Sequence, residues 1–174
     1  MRHTEKFAVL AFVAACALAA SANAREFYVG GPIHKHDMEI VANYLVGIEM
    51  APMTAAMVHG GDVIHIEADV HATADNVYGY PDGAWVPYLT IHYTLEKKDA
   101  AWKSAGVLKP MTAKDGPHYA ENVKMDGPGE YKLTYRFEPP EQNGFYRHTD
   151  KETGVPQWWA AFEETFAFAY PQAE

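Results

Sequence analysis

Between His65 and His71 polar and apolar side chains alternate without a break. In an extended strand, side chains two apart share a face. One face therefore carries His65, Glu67, Asp69 and His71, and the other carries Ile66, Ala68 and Val70. A helix would scatter both sets around its circumference. The segment is a strand with one face for a core and one face lined with donors for a cation.

The same two-residue rhythm recurs along the chain. Alternating or β-rich runs fall at 39–48, 62–71, 85–95, 101–111, 118–123, 129–138 and 163–169. Turn signals separate them: Gly60-Gly61, Pro81-Asp82-Gly83, Asp115-Gly116-Pro117, Asp126 to Gly129 and Asn143-Gly144. About seven short strands at this spacing predict an all-β fold, an antiparallel β-sandwich. Residues 51–59 have room for one or two helical turns, and Trp158-Trp159 read as core or interface filler.

The first 24 of the 174 residues read as a removable signal peptide. Arg2 and Lys6 make a basic start, residues 7–20 are apolar but short for a bilayer, and Ala22-Asn23-Ala24 is an A-x-A cleavage signal. The competing reading is a lipoprotein anchored at Cys16, after Val13-Ala14-Ala15. Cleavage after Ala24 leaves 25–174 as a single domain with room for a core. It removes a net +1, so the formal charge moves from −9 to −10. Such an acidic chain is ill suited to nucleic acid and well suited to cations. The only cysteine leaves with the signal, so a soft metal ligand has to be methionine or histidine.

Donors are plentiful. Eight histidines follow residue 24, at 34, 36, 59, 65, 71, 92, 118 and 148. Met38, Met50, Met53, Met57, Met111 and Met125 supply thioethers. Imidazole suits copper, zinc and iron, thioether favours Cu(I), and carboxylate favours harder ions, so a mixed set points to copper with iron or manganese beside it. His65 and Glu67 form the strongest pair because alternation places them side by side. The alternative is a solvated polar sheet face. Residues 65 and 71 lie about 20 Å apart at ~3.3 Å per residue, so His71 belongs to another site or to none. Met111 and His118 bracket a turn and can meet across it. His148 follows the Asn143-Gly144 turn. His34-Lys35-His36 reads either as an auxiliary copper or iron site or as a mobile polar terminus. Met50, Met53 and Met57 fit a helical stripe, and His59 and His92 read as loop and exposed strand residues.

Enzyme signatures are missing. The chain has no Cys/His zinc framework, P-loop, dinucleotide fingerprint, H-E-x-x-H or nucleophile elbow. Ser104 is the single serine after the signal. The expectation is a binding protein, not an enzyme.

With these residues in hand, the chain resembles the periplasmic iron-transport proteins of the FetP and Tpd type that accompany Ftr-type iron permeases in bacteria. The resemblance runs from Met38-Glu39-Ile40 and Ile48-Glu49-Met50 through His65 to His71 and Tyr80 to Ile91. It continues in Asp115-Gly-Pro-His-Tyr119, Gly144-Phe-Tyr-Arg-His148 and Glu152-Thr-Gly154 leading to Trp158. It implies an immunoglobulin-like β-sandwich forming a homodimer, with a copper site near the dimer interface. It implies His65, Glu67, Met111, His118 and His148 as copper ligands, and iron uptake through an inner-membrane permease. A second, weaker site for iron or manganese is implied, with Asp69, Asp115 and Glu121 as nearby acids. His34 and His36 have no counterpart in the resemblance. Two alternatives use the same chain: copper handling or delivery without an iron role, and an aromatic-surfaced module that binds carbohydrate or protein.

Overall fold

In a computed structural model that describes residues 25–52, 54 and 58–172, nine strands form two antiparallel sheets. They are β1 (Arg25–Lys35), β2 (Met38–Val46), β3 (Val63–Ala72), β4 (Thr90–Lys97), β5 (Lys103–Val107), β6 (Lys109–Ala113), β7 (Gly116–Lys124), β8 (Gly129–Glu138) and β9 (Phe162–Tyr170). One sheet runs β1-β2-β3-β7-β6 and the other β5-β4-β8-β9. The result is the expected immunoglobulin-like β-sandwich. The signal segment 1–24 lies outside the described residues. So do Met53 and Met57, while residues 51, 52, 54, 58 and 59 are non-helical.

Alternation decides what lies between the sheets. On β3, Ile64, Ile66, Ala68 and Val70 are fully buried. Opposite them Ile91 and Leu95 of β4 and Leu133, Tyr135 and Phe137 of β8 are equally closed to solvent. Burying each large side chain of this kind stabilises the fold by about 1.5–3 kcal/mol. The Tyr135 hydroxyl crosses the core and donates to the Glu67 carbonyl at 3.1 Å, tying the second sheet to the strand that carries the donors. Trp158 and Trp159 pack into the same core, as their sequence suggested.

Three sequence expectations are corrected. Run 101–111 is not one strand. It breaks at buried Leu108, whose N–H donates to Ile91 O at 2.9 Å, so β5 stays in one sheet and β6 joins the other. The periodicity hardly changes across such a switch, because both halves remain extended. Pro110 fits there because β6 is an edge strand. Run 85–95 begins its ladder only at Thr90, and Trp85 makes a single bridge to His71. Finally, the segment read as a polar terminus is β1. Its Gly30-Gly31-Pro32 interruption disguised it, and the register with β2 shifts at that point. His36 and Asp37 occupy the β1–β2 turn with φ of 52° and 58°, the pair of positive values that a tight hairpin turn needs.

Candidate metal centre

Three adjacent strands build the site on the outer face of the five-stranded sheet. His65 of β3 pairs in register with Asn122 of β7, Glu67 with Ala120, and Met111 of β6 with His118 of β7. Cross-strand partners point the same way. Strand alternation and one short hairpin thus bring residues far apart in sequence to one patch. Ligand atoms of His65, Glu67 and His118 all lie within 4.8 Å of one another, and among the described residues this is the group of three or more histidines and acids so arranged.

The patch is not a solvated sheet face. His65, Glu67 and His118 are only 3%, 6% and 5% exposed. The segment after β2 and the β6–β7 hairpin fold over them and enclose a cavity of about 740 Å³. Its lining includes the three buried donors together with Met111, Met50 and Asp115. Buried polar groups of this kind are costly unless they have partners or a cation.

The hydrogen bonds set the imidazole for a ligand. Asn122 donates its amide to Val58 O at 3.2 Å, which turns its carbonyl oxygen toward His65 Nδ1 at 2.8 Å. His65 therefore carries its proton on Nδ1 and leaves the Nε2 lone pair free. This is the outer-shell arrangement that fixes a metal-binding histidine. Burial also lowers the His65 pKa, against an upward pull from Asn122, and this keeps the ring neutral as a ligand must be. His118 Nδ1 stands 3.6 Å from Glu67 Oε1.

Glu67 is the group under most stress. Burial raises its pKa to about 8, with further upward contributions from Asp69, Glu26 and Asp115. A carboxyl so placed holds its proton in the absence of a cation and gives it up when one arrives. Asp69 is steadied by Asn43 Nδ2 at 3.2 Å. Glu121, expected among the acids near the metal, pairs with Lys109 and also pulls the His65 pKa upward. Glu26, from the strand missed in the sequence, takes part in the acidic field around Glu67.

The donors fit copper. Two imidazoles and a carboxylate suit Cu(II), and a thioether at the cavity wall suits Cu(I). His148 stands apart from the cluster. Its side chain is 74% exposed on the segment after the 3-10 turn Pro140–Asn143. Thr153 Oγ1 donates to Asp150 Oδ2 at 2.8 Å and so accepts from His148 Nδ1 at 2.7 Å. His148, like His65, is held with Nε2 open.

The remaining histidines separate. His92 is a half-exposed strand residue 3.7 Å from Glu138, as expected. His34 and His36 do not form a pair. His34 ends on the outer face beside Glu39, whereas the His36 ring stacks on Trp159 at a centroid distance of 5.5 Å. Met50 reaches the cavity although its spacing suggested a helical stripe. Only the three-dimensional path of the loop after β2 reveals that. Asn43 and Asn122, which orient the donors, carry no sequence signal beyond being polar residues inside strands.

Comparison with known proteins places these features in company. A family model described as Fe2+ transport protein matches residues 23–171. A UPF0423 protein of Brucella abortus is 42% identical over 173 residues, covering 98% of this chain and 95% of the relative. The 34 kDa membrane antigen of Treponema pallidum is 35% identical over 144 residues, 78% of this chain and 68% of the relative. Among solved structures, a copper-bound variant of Campylobacter jejuni P19 superposes with a TM-score of 0.80 at 42% identity, covering 84% of this chain and 98% of that one. A copper-bound variant of uropathogenic Escherichia coli FetP gives 0.80 at 44% identity, covering 86% and 99%.

Proposed function

The chain belongs to the Fe2+ transport protein family, and on that footing we propose that it is a periplasmic copper-binding protein that takes part in iron uptake and passes iron to a membrane permease. The observation that carries the reading is the buried His65–Glu67–His118 cluster, with Nε2 of His65 free and a cavity before it. Copper is the resident ion and iron the cargo. Met111 completes the set from the cavity wall. His148 serves as the fifth ligand from a second copy in a homodimer, which its exposed, pre-oriented ring supports. Bound copper supplies a one-electron couple next to iron, or clips the interface. The acids around Glu67, namely Asp69, Asp115 and Glu26, draw iron or manganese to a second, weaker site. No helix among the described residues is long and apolar enough to cross a membrane.

The test is a titration of residues 25–174 with Cu(II), Fe(II) and Mn(II), on wild type and on His118→Ala, paired with iron-limited growth of a strain lacking the protein. The reading expects one tight copper per chain that the variant loses, weaker iron or manganese binding, and poor growth restored by wild type but not by His118→Ala. A copper-sensitive strain with normal iron-limited growth would instead support copper handling alone. Absence of any metal binding would overturn both.

A further inference from the structure

The outer face that carries the buried centre holds a second line of donors at its other end. His34 of β1 pairs in register with Glu39 of β2, and Glu39 pairs with His71 of β3. The parity of all three strands places the row on the outer face. Met38 and Ile40 flank Glu39 and are buried, and Val70 and Ala72 flank His71 and are buried. Lys35, next to His34, points the other way and reaches Glu164 of the opposite sheet at 2.7 Å. A carboxylate thus sits between two imidazoles across three neighbouring strands.

We propose that His34, Glu39 and His71 form a further, solvent-facing site, distinct from the acids around Glu67, for a divalent transition cation of the zinc or copper(II) class. Neighbouring strands lie about 4.8 Å apart, so the row spans roughly 10 Å from the first Cα to the last. Two imidazoles leaning inward over a central carboxylate span that interval with one ion between them. His34 Nε2 already stands 3.6 Å from Glu39 Oε2, and both side chains are free to adjust, being 61% and 46% exposed. Closing the site takes a rotation of His71, a half-buried side chain on the same face. The ligand types are those of the zinc and copper(II) sites that histidine and carboxylate make. The row is not a chelate of the local His34-Lys35-His36 run, because the His36 ring stacks on Trp159 at 5.5 Å and packs against Phe162 at 5.0 Å. At ~3.3 Å per residue, about 13 Å of strand separates residue 71 from Glu67, so the row and the buried centre share no ligand.

The discriminating experiment is a Zn(II) titration of residues 25–174, followed by calorimetry and by NMR of the histidine side chains. Wild type should take up a second, weaker equivalent that shifts the His34 and His71 resonances. His34→Ala, Glu39→Gln and His71→Ala should each weaken that event by at least about tenfold. His118→Ala should remove the tight event and leave the weak one, and His36→Ala should leave both. The proposal is overturned if wild type shows no second event. It is also overturned if the event survives the three row variants, or if it is lost in His36→Ala and kept in His71→Ala. None of these outcomes depends on whether the buried centre serves iron.

Discussion

Glu67 shows how a single side chain registers the absence or presence of a cation. Its pKa in the folded chain is raised from 4.5 to about 8, first by burial and then by Asp69. Between those values the folded protein holds a proton that the unfolded chain has released. Stability is therefore greatest below the unfolded value and falls as pH rises through the window. The slope reaches up to about 1.4 kcal/mol per pH unit. The metal-free protein should lose on the order of 10 °C in Tm between pH 5 and pH 8 relative to Glu67→Gln, which cannot titrate there. A cation stabilises the ionised form and removes the penalty. Calorimetry in buffers of different ionisation enthalpy should then show close to one proton released per copper bound near pH 7, and fewer in Glu67→Gln. Parallel melting curves for wild type and Glu67→Gln across this range would show that the carboxyl is not strained by its surroundings.

At the scale of strands, the sandwich depends on places where the sheets come close enough to exclude a side chain. Gly30 of β1 is one. A Cβ there would stand 2.5 Å from Cδ1 of Phe166, a ring on β9 that is itself only 7% exposed. Gly30→Ala should cost about 1–3 kcal/mol, read as a lower urea midpoint with an unchanged slope. The same interruption explains what the sequence hid. Alternation marked β3 and β8 because one face of each is uniformly apolar, and it placed His65 and Glu67 together for the same reason. The turn signal at Asp115-Gly116-Pro117 let Met111 and His118 meet across it, and the tighter turn at Lys114-Asp115 leaves them in register. β1 escaped because glycines and a proline break its rhythm. The β5–β6 division escaped because a strand that changes sheets stays extended. Burial of the donor face was not legible either. It depends on how the segment after β2 folds back, and no periodicity encodes that path.

For the molecule as a whole, His148 and the buried cluster stand apart within one chain. The His148 ring faces solvent, the in-chain donors lie in a cavity of the sheet face, and the homodimer proposed above would join them. In a two-fold dimer each copper site would use its own His65, Glu67, Met111 and His118 and the partner's His148. This gives a test that separates sharing from a purely local role. His118→Ala and His148→Ala proteins should each be defective in tight copper binding. When the two are unfolded together and refolded as a mixture, half of the dimers carry one chain of each kind. In such a dimer the chain with intact His118 receives an intact His148 from the other, while the second site lacks both. The mixture should recover about one quarter of the wild-type tight sites, measured as copper retained through gel filtration at the dimer position. Were His148 to act within its own chain, or not at all, mixing would add nothing to the average of the two variants. The acidic net charge of −9 opposes close approach of two copies. The dimer should therefore tighten as ionic strength rises from about 0.01 M, where the screening length is about 30 Å, to 0.15 M, where it is about 8 Å.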